Sequence, residues 1–194
     1  CVWLTRGLLW LLMMAGHAVS GILLRQMEFD ADLHETRLVG SAAFESTCRR
    51  LHVLNLAANG AMADLRDWYR DGRLGDDLPR LVLANVDQLP PEAQAYVART
   101  ITETRTGWFD THPADRDRIL RARKEGAAGL FRDERPATAL FSDFGALSRT
   151  ATFDCYKAML GPAVKITDLH STDKLLARQK QENLAARAVQ RYFE

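Results

Sequence analysis

The chain lacks most of the features that announce a function by composition. It has three cysteines, Cys1, Cys48 and Cys155, far apart and with no C-x-x-C pair. An odd, scattered set argues against a disulfide framework or a cysteine-based zinc site and reads as reduced thiols. Charge of one sign is not in excess: 26 basic residues face 25 acidic ones, for a formal net charge of +1. That balance gives no footing for nucleic acid as a partner. There is no glycine-rich phosphate loop, no internal repeat and no convincing strand run. What is present is a globular balance, 47% apolar and 26% charged in 194 residues, enough for one domain with a sizeable core.

Long apolar runs are also scarce, with one exception. Val2 to Leu24 is rich in Trp, Leu and Met, and Arg6 and His17 are its only ionisable residues. As a helix these 23 residues span roughly 35 Å, enough to cross a hydrocarbon core of about 30 Å. Two readings stay open, a membrane span and the buried core helix of a larger protein. A signal peptide does not fit, because no small-residue cleavage site follows and the helical pattern runs on into Arg25. The chain opens on Cys1 inside this run, without an initiator Met, and closes on Arg191-Tyr192-Phe193-Glu194. It therefore reads as a fragment of a longer protein.

The remainder reads as helical. From Arg25 to about Met62 apolar residues recur at helical spacing, punctuated at Gly40-Ser41. Ser41 suits a cap with Glu45 in the first turn, and Asn59-Gly60 suits an end. Asp64 to Tyr69 and Leu78 to Leu89 form shorter segments, and Pro91 can open a helix running to about Thr104. Thr111-His112-Pro113-Ala114-Asp115 reads as a helix start, with Pro113 in the first turn and Asp115 favourable to the dipole. That helix ends where Gly126 and Gly129 break it. Ala137 to Leu147, Thr152 to Leu160 and Lys174 to Phe193 complete a mainly α chain. Arg116, Arg118, Arg121, Arg123 and Lys124 wrap around one helix without interleaved aromatics, the pattern of a solvated face.

The richest stretch chemically is Glu28-Phe29-Asp30-Ala31-Asp32. Glu28 and Asp32 lie four residues apart, on one helix face. Two like charges there need a cation, either an arginine from another helix or a metal. Spacing alone leaves an exposed acidic face as a third possibility. Elsewhere Ser142-Asp143 and Asp168-His170-Ser171 bring together triad residue types, but no nucleophile elbow accompanies them. Cys48 and Cys155 sit in amphipathic patterns and read as packed thiols.

Arg25-Gln26-Met27-Glu28-Phe29-Asp30-Ala31-Asp32 resembles the R-x-x-E-F-x-A-D segment of the membrane-associated zinc metallopeptidases that include the CAAX prenyl endopeptidase and the bacterial HtpX heat-shock protease. About eighty residues later Thr111-His112-Pro113, followed by Arg118-Ile119, is similar to that family's T-H-P-x-x-x-x-R-I element. The apolar run Val2 to Leu24 stands where the family carries an apolar helical region. The resemblance covers residues 1–124. It implies the C-terminal helical part of a zincin-type (gluzincin) domain over 26–124, after an apolar helix at 1–25 and before a helical tail at 125–194.

By the same resemblance Glu28 matches the third ligand of one Zn²⁺. Asp32 matches an acid that orients a ligating histidine through its second ring nitrogen. His112 matches a histidine beside the substrate that donates to the developing oxyanion. Arg118 reads as structural, paired with a carboxylate. The implied activity is hydrolysis of a polypeptide by a metal-activated water, at a membrane, the bacterial inner membrane in this reading.

The departure from the family is the lack of H-E-x-x-H. The nearest string, His34-Glu35-Thr36-Arg37-Leu38, has Leu38 in place of the second histidine and falls after Glu28 rather than before it. His17 begins His-Ala-Val-Ser-Gly and lacks the glutamate. Two ligands and the general base are then expected ahead of Cys1, and the fragment alone is expected to be inactive. The alternative from another class is a non-catalytic, membrane-tethered helical interaction or scaffold protein that retains the peptidase fold.

Overall fold

The computed structural model describes residues 2–193, so the Cys1 thiol lies outside the described residues. The chain is mainly α, with seven α-helices and one pair of two-residue strands among the described residues. The helices are α1 (Val2–Val39), α2 (Ser41–Arg70), α3 (Leu78–Gln88), α4 (Pro91–Glu103), α5 (Asp115–Glu125), α6 (Phe144–Leu160) and α7 (Thr172–Phe193). They divide into two compact units, Cys1–His52 with Pro91–Glu134 and Val53–Pro90 with Arg135–Glu194.

In the first unit α5 packs against α1 and α4. Its interior is small: Phe44 and Cys48 of α2, Val97 and Ile101 of α4, and Ile119 and Ala122 of α5, with Asp32 and Thr36 of α1 buried beside them. The apolar half of α1 contributes almost nothing to this interior, since its side chains are nearly all exposed. By length and composition α1 is a helix able to cross a membrane.

The turn from α1 to α2 is held against the end of α5. Leu130 N and Phe131 N both donate to Leu38 O, at 2.8 and 2.9 Å. Gly40 and Gly129 have φ of 95° and 82°, and a Cβ on Gly129 would lie 2.7 Å from the Val39 carbonyl. Only glycine combines that backbone conformation with so close an approach. Ser41 does not cap α2 as its sequence suggests. Its hydroxyl donates to Ala122 O (2.7 Å) and accepts from Ala127 N (2.9 Å), which satisfies groups at the end of α5 instead.

The second unit closes on Ala61, Leu65 and Trp68 of α2, Leu81 of α3, Tyr156 of α6 and Leu175 of α7. The strands β1 (Leu74–Gly75) and β2 (Leu169–His170) pair in parallel, Leu74 with Leu169 and Gly75 with His170. Two residues are too few for alternation to show in sequence. Asp77 caps α3 by accepting from Arg80 N (2.9 Å). Buried hydroxyls complete that helix start, with Leu78 N donating to Thr152 Oγ1 (2.8 Å) and Asp77 N to Thr172 Oγ1 (2.9 Å).

Three further boundaries differ from the sequence reading. α2 runs through Asn59-Gly60, because Gly60 is a contact glycine: a Cβ there would meet Asn85 Oδ1 at 2.5 Å. The segment Ala137–Leu147 is not one helix. A 3-10 turn covers Ala137–Leu140 and α6 starts afresh at Phe144, capped by Asp143, which accepts from Ala146 N at 2.8 Å. Pro113 precedes the N-cap Ala114 rather than lying in the first turn of α5.

Candidate functional site

α1 presents Glu28 and Asp32 one turn apart, toward α5. Across from them the approach to α5 is fixed by Thr106. Its hydroxyl donates to Asp117 Oδ2 (2.7 Å) and accepts from Ala114 N (2.8 Å), so an N–H at the helix start that has no partner within the helix gains one. That clasp sets the position of His112, in the loop just ahead, and of Arg118, one turn into α5.

The residues meet in two adjacent pairs. His112 Nδ1 lies 2.8 Å from Glu28 Oε2, and a carboxylate acceptor makes Nδ1 the donor. Arg118 grips Asp32 through two bonds, Nε to Oδ2 at 2.8 Å and Nη2 to Oδ1 at 2.6 Å. Its remaining nitrogen, Nη1, donates to Asp115 Oδ1 at 3.2 Å and stands 4.0 Å from Glu28 Oε1. Three carboxylates thus converge on one guanidinium, which links Glu28 and Asp32 into a single cluster. The hydrogen bond to Asp32 raises the pKa of Arg118 above the ordinary arginine value and keeps it charged. His112 is the open edge of the cluster, with its side chain 80% exposed.

Two members were not singled out as site residues from the sequence. His52 Nε2 is 2.6 Å from Asp115 Oδ2, which extends the cluster onto α2. Its signal is there in retrospect: Phe44, Cys48 and His52 fall at i, i+4 and i+8, so the histidine sits on the buried stripe. Cys48, between them, is a packed thiol pushed up to about 11, chiefly by burial. Cys155 lies half-buried and touches Met159 Sδ at 3.6 Å.

The basic residues of α5 are more than a solvated face. Besides Arg118, Arg121 lies over the Phe29 ring at 3.5 Å, and Arg123 pairs with Glu45 through Nε and Nη2 at 2.6 Å each. The triad residue types have plain structural roles. Asp143 is a helix cap, and Asp168 Oδ2 accepts from Lys165 N at 2.8 Å. His34 and Glu35 are exposed.

A catalytic zinc takes three protein ligands and leaves one position for water. Asp32 and Asp115 are held by Arg118 and Glu28 is held by His112, so each carboxylate of the cluster already has a partner. Among the described residues no group of three or more His, Cys, Asp or Glu side chains is arranged to hold a metal ion. These residues by themselves do not make a zinc site.

No family model, curated protein or solved structure matches the chain.

Proposed function

We propose that this chain is the C-terminal part of a membrane-associated zinc endopeptidase of the CAAX prenyl endopeptidase and HtpX type, with α1 to α5 forming the helical end of a zincin-type domain. The observation that supports this reading most is the meeting of the two motif segments. Glu28 bonds His112, 84 residues away, while Asp32 bonds Arg118, 86 residues away. In this reading Glu28 is a metal ligand, and the other two ligands and the general base come from residues outside this sequence. Asp32 anchors Arg118, and each of its oxygens keeps a second lone pair for a ligating histidine. His112 offers its outward Nε2 to the substrate. With Nδ1–H given to Glu28, Nε2 donates only when the ring is doubly protonated, the form that suits a developing oxyanion.

The test uses protein expressed from its complete reading frame and an unfolded polypeptide substrate. Cleavage should stop with a chelator and return with zinc. His112→Ala should lower kcat by about 10²- to 10³-fold with little change in KM. Cleavage that survives chelation, or a His112→Ala protein at full rate, would overturn the proposal. The second reading, a membrane-tethered scaffold, draws on the full pairing of Asp32 and Asp115. A complete frame without H-E-x-x-H and without proteolysis would establish it.

A further inference from the structure

The loop between α4 and α5 carries a tight turn with the wrong residues at its tip for water. Gly107 N donates to Asp110 Oδ2 at 2.6 Å, and Asp110 N returns to Gly107 O at 3.4 Å. Trp108 and Phe109 stand between them, 85% and 61% exposed. Turn tips are ordinarily Gly, Pro, Asn, Asp or Ser, and two adjacent bare aromatics leave a large apolar area uncovered.

The turn is fastened to α1 at a definite height. Arg25 Nη1 donates to the carbonyls of Asp110 and Trp108, the latter at 3.5 Å. The turn passes close to α1 here, and a Cβ at Gly21 would be in ordinary contact with Asp110 O at 3.5 Å. Trp108 shares a shallow cavity of about 310 Å³ with Ala18, Ile22 and Arg25 of α1. Ala18 and Ile22 belong to the last two turns of the exposed apolar segment, and Arg25 is the first charge beyond it. At about 1.5 Å of rise per residue, Glu28 lies only about 5 Å further along the axis than Arg25. Trp108 is therefore level with the place where a bilayer around this segment passes from hydrocarbon to headgroups. Tryptophan concentrates at that level in membrane proteins, because its ring is apolar and its N–H is not.

We propose that the Trp108-Phe109 turn is an anchor in the bilayer interface, whose partner is the headgroup region of the lipid. It rests on the membrane association proposed above. The anchor adds to that reading a fixed height for the Glu28–His112 pair, close above the membrane surface, where a polypeptide substrate emerging from the bilayer would meet it. Arg105, exposed just before the turn, suits an anionic headgroup.

The test reconstitutes the full chain in phosphatidylcholine–phosphatidylglycerol vesicles whose acyl chains carry bromine at defined depths. The Trp108 signal is the fluorescence difference between the parent and Trp108→Phe, with vesicle flotation and helix content measured for both. The difference signal should shift to the blue on reconstitution and be quenched more by bromines near the glycerol than by those near the chain ends. Flotation with a Trp108 signal that is unquenched and emits as in water would overturn the anchor and leave the membrane reading standing. Strongest quenching from the chain ends would overturn the interfacial placement. Failure of the parent to float would overturn the membrane reading and the anchor together.

Discussion

Asp32 is 6% exposed, and a carboxylate at that depth is stable only with a charged or strongly donating partner. Arg118 supplies it through the paired geometry that a planar guanidinium offers and an ammonium does not. Removing one member strands the other. Arg118→Met should cost about 3–5 kcal/mol in denaturant unfolding, because it leaves Asp32 uncompensated. Adding Asp32→Asn should recover part of that loss, so the double variant is destabilised by less than the sum of the two. A fully additive pair would contradict the coupling.

Glu45 shows the same chemistry nearer the surface. Hydrogen bonds from Arg123 and then Arg49, working against desolvation, lower its pKa from the ordinary 4.5 to about 2. A carboxyl depressed on folding contributes stability that is fully present above its ordinary value and lost as pH falls through the depressed one. The stability difference between the parent and Glu45→Gln should therefore be constant above about pH 4.5 and shrink toward pH 2. A difference unchanged by acid would remove Glu45 from this role.

At the scale of elements, the first unit depends on the junction where α1 turns into α2 beneath the end of α5. Gly129→Ala asks for a side chain at φ 82° and puts its Cβ against the backbone of Val39, which cannot swing aside. The substitution should cost about 2 kcal/mol or more in unfolding free energy, and a neutral result would mean the loop takes another path. Boundaries set by local chemistry were readable in the sequence: the break at Gly40, the start at Pro91 and the left-handed Gly126 that ends α5. Gly60 was not readable, because its reason is Asn85 on another helix. The start of α6 has a local reason, the capping strength of Asp143 outweighing an apolar run that continues on either side.

For the whole molecule, the candidate site was legible where residues carried a pattern and hidden where they carried only position. Glu28, Asp32, His112 and Arg118 stand in two spaced motifs, and the fold brings these motifs together. Asp115 carries only the signal of a helix start, and His52 stands in neither motif. The spacing of Phe44, Cys48 and His52 puts the histidine on a buried stripe, but its pairing with Asp115 depends on α2 lying beside α5, which spacing does not encode. The interleaving of two units along one chain is invisible in the same way, since it is defined by contacts between distant segments. The central claim is that Glu28 is a zinc ligand. It is tested most directly by the zinc content of the protein purified from its complete reading frame, beside that of Glu28→Ala. About one zinc per parent chain, lost from the variant while helix content is kept, is the predicted result. Equal zinc in both proteins, or none in the parent, would contradict the claim.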